Sequence, residues 1–380
     1  MRNPRLALMA GAFLFLSTGF VACNTYSPDE PLPTPYTQSL FISSDNQIVY
    51  SLDPETGKRK WQATVDGAVK ATPVVLNNAL FVATIKGNLY KFDLQHGTEI
   101  SPHINLAGAI YGTPLIYNGN LLVPAGNRLV YLQTADFEEI WSYDHGAPIT
   151  TSPTNHAIAG IHDNAIFFSG NDNTVVALDH EGIELWSYTP SEAGSFQSSP
   201  CVVNDSFLYV GNNNGNLYAL RTQEGTLNWT FTSLGRIQSS PIHIGGNVLF
   251  GSDDRNLYSV DSATGLLRWK VQTQDRIVSS PIVHNQFVYF GSYDGTIYSV
   301  DIIDGTVEWE SPSFGLIKSS PVVYRNNLYI GSYDKNLFCL DAATGQQRWL
   351  YNVQGQMETS PIIDSVGGAA VPSISGNYRY

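Results

Sequence analysis

Cysteine is scarce in this 380-residue chain, which holds three copies, Cys23, Cys201 and Cys339, with no CxxC pair. That excludes a disulfide framework and a thiolate zinc ribbon. Cys201 and Cys339 fall in strands of distant segments, too separate to bridge, and are expected to be small buried hydrophobes. Charge is also scarce: charged residues are 14% of the chain, and 20 lysines and arginines face 33 acids, a net charge of -13. A duplex-binding protein needs a basic face, so nucleic acid is not an expected partner. Catalytic signatures are missing as well. There is no HExxH pair, no Gly-x-Ser-x-Gly elbow and no phosphate loop, and the eight histidines show no paired-ligand spacing. No long helical pattern follows residue 38.

What is present is strand material. Hydrophobic residues make up 43% of the chain, which places it among packed globular proteins. Tyr, Phe, Trp, Val, Ile, Gly and Asn recur, a composition suited to strands and tight turns. The material is repeated. Ser239–Trp269, Ser279–Trp309 and Ser319–Trp349 each open on Ser-Ser-Pro and close on a tryptophan. The opening prolines are Pro73, Pro114, Pro153, Pro200, Pro241, Pro281, Pro321 and Pro361, a period near 40. Several strands per 40-residue unit is the pattern of a β-propeller. In the best copy four strands run over Pro281–Val283, Phe287–Gly291, Thr296–Val300 and Thr306–Trp309. Asp294-Gly295 and Asp304-Gly305 make the turns.

Residues 39–380 are therefore expected to form one all-β propeller. The first copy, Ser39–Trp61, lacks its opening strand, and the chain carries an orphan one at Ser360–Ile363. Pairing the two closes the ring at eight four-stranded blades, with seven as the alternative count. Residues 364–380 resemble a degraded second and third strand, able to cap the ring or displace part of the N-terminal blade. Two units are irregular. In the second, Ser101 stands at the tryptophan position. The fourth has insertions at Asn155–Asp163 and Ser187–Gly194. His156 and His162 lie in the first insertion and are expected to face solvent.

Residues 1–22 read as a leader: Arg2 and Arg5 precede an apolar run from Leu6 to Val21. This is the order of a secretory signal, too short for a membrane span of about 20 apolar residues. The run ends at Phe20-Val21-Ala22-Cys23, which resembles a bacterial lipobox with Phe20 where leucine is usual. The resemblance implies a lipidated Cys23 as mature N-terminus. Asn24, rather than aspartate, implies the outer membrane. Residues 23–38, with Pro28, Pro31, Pro33 and Pro35, read as a stiff tether.

The closing motif Asp-x-x-Thr-Gly-x-x-x-Trp, as in Asp53–Trp61, Asp261–Trp269 and Asp341–Trp349, resembles the tryptophan-docking motif of pyrroloquinoline-quinone (PQQ) type propellers. All seven tryptophans, Trp61, Trp141, Trp186, Trp229, Trp269, Trp309 and Trp349, hold that position. A stacking surface for a quinone or sugar is one reading of them. Packing between blades is the favoured one, because a residue placed identically in every blade serves the repeat. The family has a catalytic branch, the quinoprotein dehydrogenases, longer chains with adjacent cysteines, a calcium-bound quinone on the ring axis and a catalytic aspartate; this chain has no Cys-Cys pair and no additional segment to cover a cofactor. Its other branch, the non-catalytic BamB-type lipoproteins, is similar in size, lipobox, proline tether and repeat number. That resemblance implies no cofactor and no enzymatic activity. It implies a lipid-anchored periplasmic scaffold that binds envelope partners, among them the outer-membrane barrel assembly machinery. The alternative is a propeller for a small ligand, a quinone or carbohydrate, and further off a PQQ-dependent oxidoreductase.

Binding residues are expected where units differ on a constant scaffold. Asp253–Asn256, Asn212–Asn216 and Asn171–Asn173 look like calcium loops, but turn chemistry accounts for them and metal is not expected. The segment leading into each Ser/Thr-Pro crosses to the axis of the ring. Its variable residues, Lys70, Tyr111, Gln197, Arg236, Gln238, Arg276, Lys318 and Glu358 among them, are the candidate lining of an axial funnel, made locally basic by Lys70, Arg236, Arg276 and Lys318.

Overall fold

A computed structural model describes residues 38–158, 162–203, 206–365 and 368–370. The leader, Cys23 and all of the tether before Gln38 lie outside them. The described residues form eight antiparallel sheets arranged as the blades of one propeller. Seven blades are four-stranded and sequential. In the best-matched unit the strands are Ile282–His284, Phe287–Gly291, Thr296–Asp301 and Val307–Pro312. Among the described residues the second and third strands of the blades are largely buried, and the outermost strand alternates exposed and partly covered residues, as over Val307–Pro312. The apolar core therefore sits between blades: Leu249, Val271 and Ile277 pack with Val288, Phe290 and Tyr298 of the next unit.

The composite blade closes the ring. Ser39–Ser43 pairs with Ile48–Leu52 on one side and with Ile362–Ser365 on the other, Leu40 opposite Ile363. Among the described residues after Ile362–Ser365, none displaces the N-terminal strands. Gly368–Ala370 turns back and pairs on the axial side of Ile362–Ser365, as a fifth strand. Residues 371–380 lie outside the described residues. In the fourth blade the first insertion lengthens the inner hairpin, Thr154–Ile158 with His162–Ser169. His156, on the inner strand Thr154–Ile158, is half-buried there rather than turned to solvent. The second insertion is pinned to two turns: Asn173 Nδ2 donates to the Glu192 carbonyl at 2.7 Å and Asn214 Nδ2 to the Ala193 carbonyl at 2.6 Å.

The tryptophans join neighbouring blades by two contacts. Each indole Nε1 donates to a backbone carbonyl in the next blade's closing turn, as Trp269 to Ile302 at 3.1 Å and Trp61 to Leu94 at 2.8 Å. Trp349 donates to Pro54 at 3.1 Å and so links the last blade to the first. The ring face lies against the glycine of that turn. A Cβ on Gly265 would sit 2.6 Å from Trp229 Cε3, and Gly265 has φ +70°, so both space and backbone demand glycine. Opposite most tryptophans the third strand offers a small residue and then a bulge: Ser299 faces Trp309 and Cys339 faces Trp349. Cys339 and Cys201 are buried free thiols. Burial pushes each thiol up to about 12, so neither is a nucleophile at neutral pH.

Blade two, which lacks a tryptophan, divides the indole's work between two other side chains. Ser101 pairs with Lys91 in place of a small residue. Lys91 Nζ donates at 2.7 Å to the Thr134 carbonyl, the position that accepts from an indole elsewhere. The turn glycine of the next blade is replaced by Phe137, which keeps the left-handed backbone (φ 65°) and fills the vacated space against Phe81.

Candidate functional site

The segments entering the inner strands converge on the axis around a cavity of about 430 Å³. Its wall has three levels. At the mouth stand Lys70, Tyr111, Gln197, Gln238, Val278, Lys318 and Glu358. Below them comes a belt of hydroxyls, one per blade. Deeper, the inner strands contribute Val74, Leu115, Ile116, Ile242, Ile282 and Val283, an apolar wall interrupted by His243 and Asn155.

The belt is a closed hydrogen-bonded circuit. Thr72 N–H donates to Thr113 Oγ1 at 3.2 Å, Thr113 N–H to Ser152 Oγ at 2.8 Å, and Ser152 N–H to Ser199 Oγ at 2.9 Å. Ser199 N–H continues to Ser240 Oγ at 3.0 Å, Ser240 to Ser280 at 2.9 Å, and Ser280 to Ser320 at 3.0 Å. Ser320 N–H reaches Ser360 Oγ, and Ser360 N–H returns to Thr72 Oγ1, both at 3.2 Å. The proline that follows each of these residues has no N–H to satisfy at the axis. The Ser/Thr-Pro dipeptides thus tie every blade to its neighbour at the inner edge, as the tryptophans do farther out. In the sequence these dipeptides mark strand starts; their eightfold recurrence is the one signal of the circuit.

The mouth is not basic in the way the sequence suggested. Lys70 Nζ and Lys318 Nζ reach Glu358 at 2.6 and 2.7 Å, and Tyr333 Oη donates to the same carboxylate at 2.8 Å. Burial alone would raise the Glu358 pKa, but Lys318, Lys70 and Tyr333 together hold it at about 2. Arg236 and Arg276 are exposed and do not line the cavity: two residues earlier in the segment is already the outer slope of the ring. Arg276 stacks on Tyr293 with its guanidinium 4.2 Å from the ring centroid. Gln238 Nε2 donates to Asp253 at 3.0 Å, and burial raises the Asp253 carboxyl.

The Glu358 cluster makes stability acid-sensitive. A folded pKa near 2 against about 4.5 unfolded means the contribution is complete above pH 4.5 and lost as pH falls toward 2. The linked stabilisation is about 3 kcal/mol. Urea unfolding at pH 6 and pH 3 is expected to show about 2 kcal/mol of that loss in the wild type and a smaller one in Glu358→Gln.

The turn carboxylates work locally and between blades. Asp294 accepts from Thr296 N–H at 2.8 Å, Tyr298 Oη at 2.9 Å and Gln274 N–H of the preceding unit at 2.9 Å. Among the described residues no group of three or more His, Cys, Asp or Glu side chains converges to hold a metal. The cavity wall offers one carboxylate, Glu358, already engaged by two ammoniums. A calcium-held quinone needs six or more oxygen ligands, and this donor set does not fit it. Burial lowers the His243 pKa and favours its neutral form.

Comparisons with known proteins agree with this architecture. The outer membrane protein assembly factor BamB of Moranella endobia (strain PCIT) is 23% identical over 223 residues, 52% of this chain and 56% of that protein. The tetrathionate hydrolase of Acidithiobacillus ferrooxidans is 25% identical over 251 residues, 61% of this chain and 49% of the enzyme. The chain thus spans about half the length of these relatives. The crystal structure of BamB from Moraxella catarrhalis superposes with a TM-score of 0.65 at 18% identity, over 79% of this chain and 90% of that one. The family model described as outer membrane protein assembly factor BamB matches residues 27–100, 103–192 and 171–366. With that match over most of its length, the chain belongs to the BamB family of eight-bladed PQQ-like propellers.

Proposed function

We propose that this protein is a non-catalytic propeller scaffold of the bacterial envelope, tethered to the outer membrane through lipidated Cys23 and serving outer-membrane protein assembly from the periplasmic side. Family membership supports the role. One observation carries the docking surface: Leu234 and Phe314 are 96% and 98% exposed on equivalent inter-blade loops. These loops are held firmly. Leu234 N–H donates to Asp254 Oδ2 at 2.9 Å, and Ser313 Oγ donates to the Gly295 and Gly315 carbonyls at 2.9 and 2.8 Å. We read these two large apolar side chains, held wholly in water at equivalent places in the ring, as anchors of a contact surface. Leu316, also exposed, extends it, and Arg236 and Arg276 supply a polar, positively charged rim. An envelope partner with an apolar, acid-flanked surface fits.

The test is co-purification from membranes. Leu234→Asp with Phe314→Asp is expected to weaken partner capture roughly a hundredfold, while thermal unfolding stays within about 0.5 kcal/mol of wild type. Undiminished capture overturns the docking surface.

A second reading, a propeller that binds a small quinone or carbohydrate or acts as an oxidoreductase, is favoured by the axial cavity, whose 430 Å³ lies within the ~300–1,000 Å³ of ligand pockets. Titration with PQQ and calcium, followed by dye reduction, separates it. The scaffold reading expects neither binding nor turnover.

A further inference from the structure

We propose that the hydroxyl belt, with Lys70 and Lys318 above it, is a binding site for a small oxyanion of the sulfate or phosphate class on the propeller axis. The belt places eight hydroxyls around one cavity, and each oxygen accepts a backbone N–H from the neighbouring blade. Each hydroxyl keeps its own proton to donate. Among the described residues none of the eight finds an acceptor for it, although Ser152, Ser199 and Ser240 are only 8%, 6% and 9% exposed. A hydroxyl that already accepts an N–H is polarised and donates more strongly. The belt thus presents a ring of hydroxyl donors whose protons are not engaged by the described residues.

Charge points the same way. The ammoniums of Lys70 and Lys318 share the single lining carboxylate, Glu358, which leaves one positive charge in excess inside a chain of net charge -13. Each ammonium has three N–H donors and spends one on Glu358 in these contacts. A neutral sugar leaves the excess positive charge of the two lysines uncompensated, and a metal cation is repelled by it. An oxyanion needs donors and positive charge, which are what the belt and the lysines provide. Several oxygens on one anion can engage several hydroxyls at once.

The site is independent of the docking role, so Leu234→Asp with Phe314→Asp should leave it intact. Calorimetric titration of the full chain with sulfate and with inorganic phosphate, at ionic strength fixed with sodium chloride, is expected to show saturable one-to-one binding. Glucose should show none. Lys318→Gln should weaken the anion about tenfold or more, and Glu358→Gln, which removes the competing carboxylate, should tighten it. Ser240→Ala should weaken it and Ser240→Thr preserve it, since Thr72 and Thr113 already serve in the belt. Three results would overturn the proposal: sulfate indistinguishable from chloride (an adventitious ion only), affinity unchanged in both Lys318→Gln and Glu358→Gln, or glucose binding instead.

Discussion

Trp269→Ala is expected to lower the unfolding free energy by about 3–5 kcal/mol, measured by urea denaturation. Trp269 is 8% exposed, and its indole is shared between two blades. A side chain of that size buries ~150–250 Å², worth up to about 4–6 kcal/mol at 25 cal/mol per Å². Truncation also leaves the Ile302 carbonyl without its 3.1 Å donor and opens a void beside Gly305 and Val271. Collapse is limited because the glycine on the far side has no side chain to move in. Unchanged stability would mean that the repeated indole is not a structural joint.

The second large effect belongs to blade two. Phe137→Gly alone is expected to cost about 3–4 kcal/mol, because it empties the space that Phe137 fills against Phe81. The relief of a left-handed phenylalanine offsets roughly 1 kcal/mol of the gross loss. Combined with Ser101→Trp and Lys91→Ser, the same substitution should regain at least about 2 kcal/mol. The triple variant rebuilds the arrangement seen at Ser299, Trp309 and Gly345. The coupling is non-additive by design, since all three positions share one contact. If the triple variant is as unstable as the sum of its parts, Lys91 and Phe137 are not substitutes for an indole.

These two cases mark how far the sequence could be read. The architecture was legible because it is periodic. Proline spacing near 40 and the recurring Asp-x-x-Thr-Gly motif give the blades, and the orphan strand at Ser360–Ile363 gives the closure and so the count of eight. The compensation in blade two was not legible, because Lys91, Ser101 and Phe137 meet only after two blades are stacked. The candidate site was legible in part. Lys70, Tyr111, Gln197, Gln238, Lys318 and Glu358 line the cavity, since repeat position fixes their place on the inner segment. Arg236 and Arg276 do not, since two residues along that segment the chain is already on the outer slope. The neutralisation of the lysines also escaped the sequence. It depends on Glu358 lying between Lys70 and Lys318 across ring closure, partners 288 and 40 positions away. Leu234 and Phe314 gave no signal, because an apolar residue in a strand-rich chain is ordinarily taken for core.

The central claim is that this propeller works by holding an envelope partner against its mouth-side loops. Site-specific photo-crosslinking of the membrane-anchored protein tests it most directly. One probe replaces Phe314, and a control replaces Ile303, which is 80% exposed in the closing turn of the Asp301–Trp309 segment. The predicted result is a discrete adduct with an outer-membrane assembly component from position 314 and none from position 303. Equal labelling from both positions, or no adduct from 314 while the protein remains anchored and folded, would contradict it.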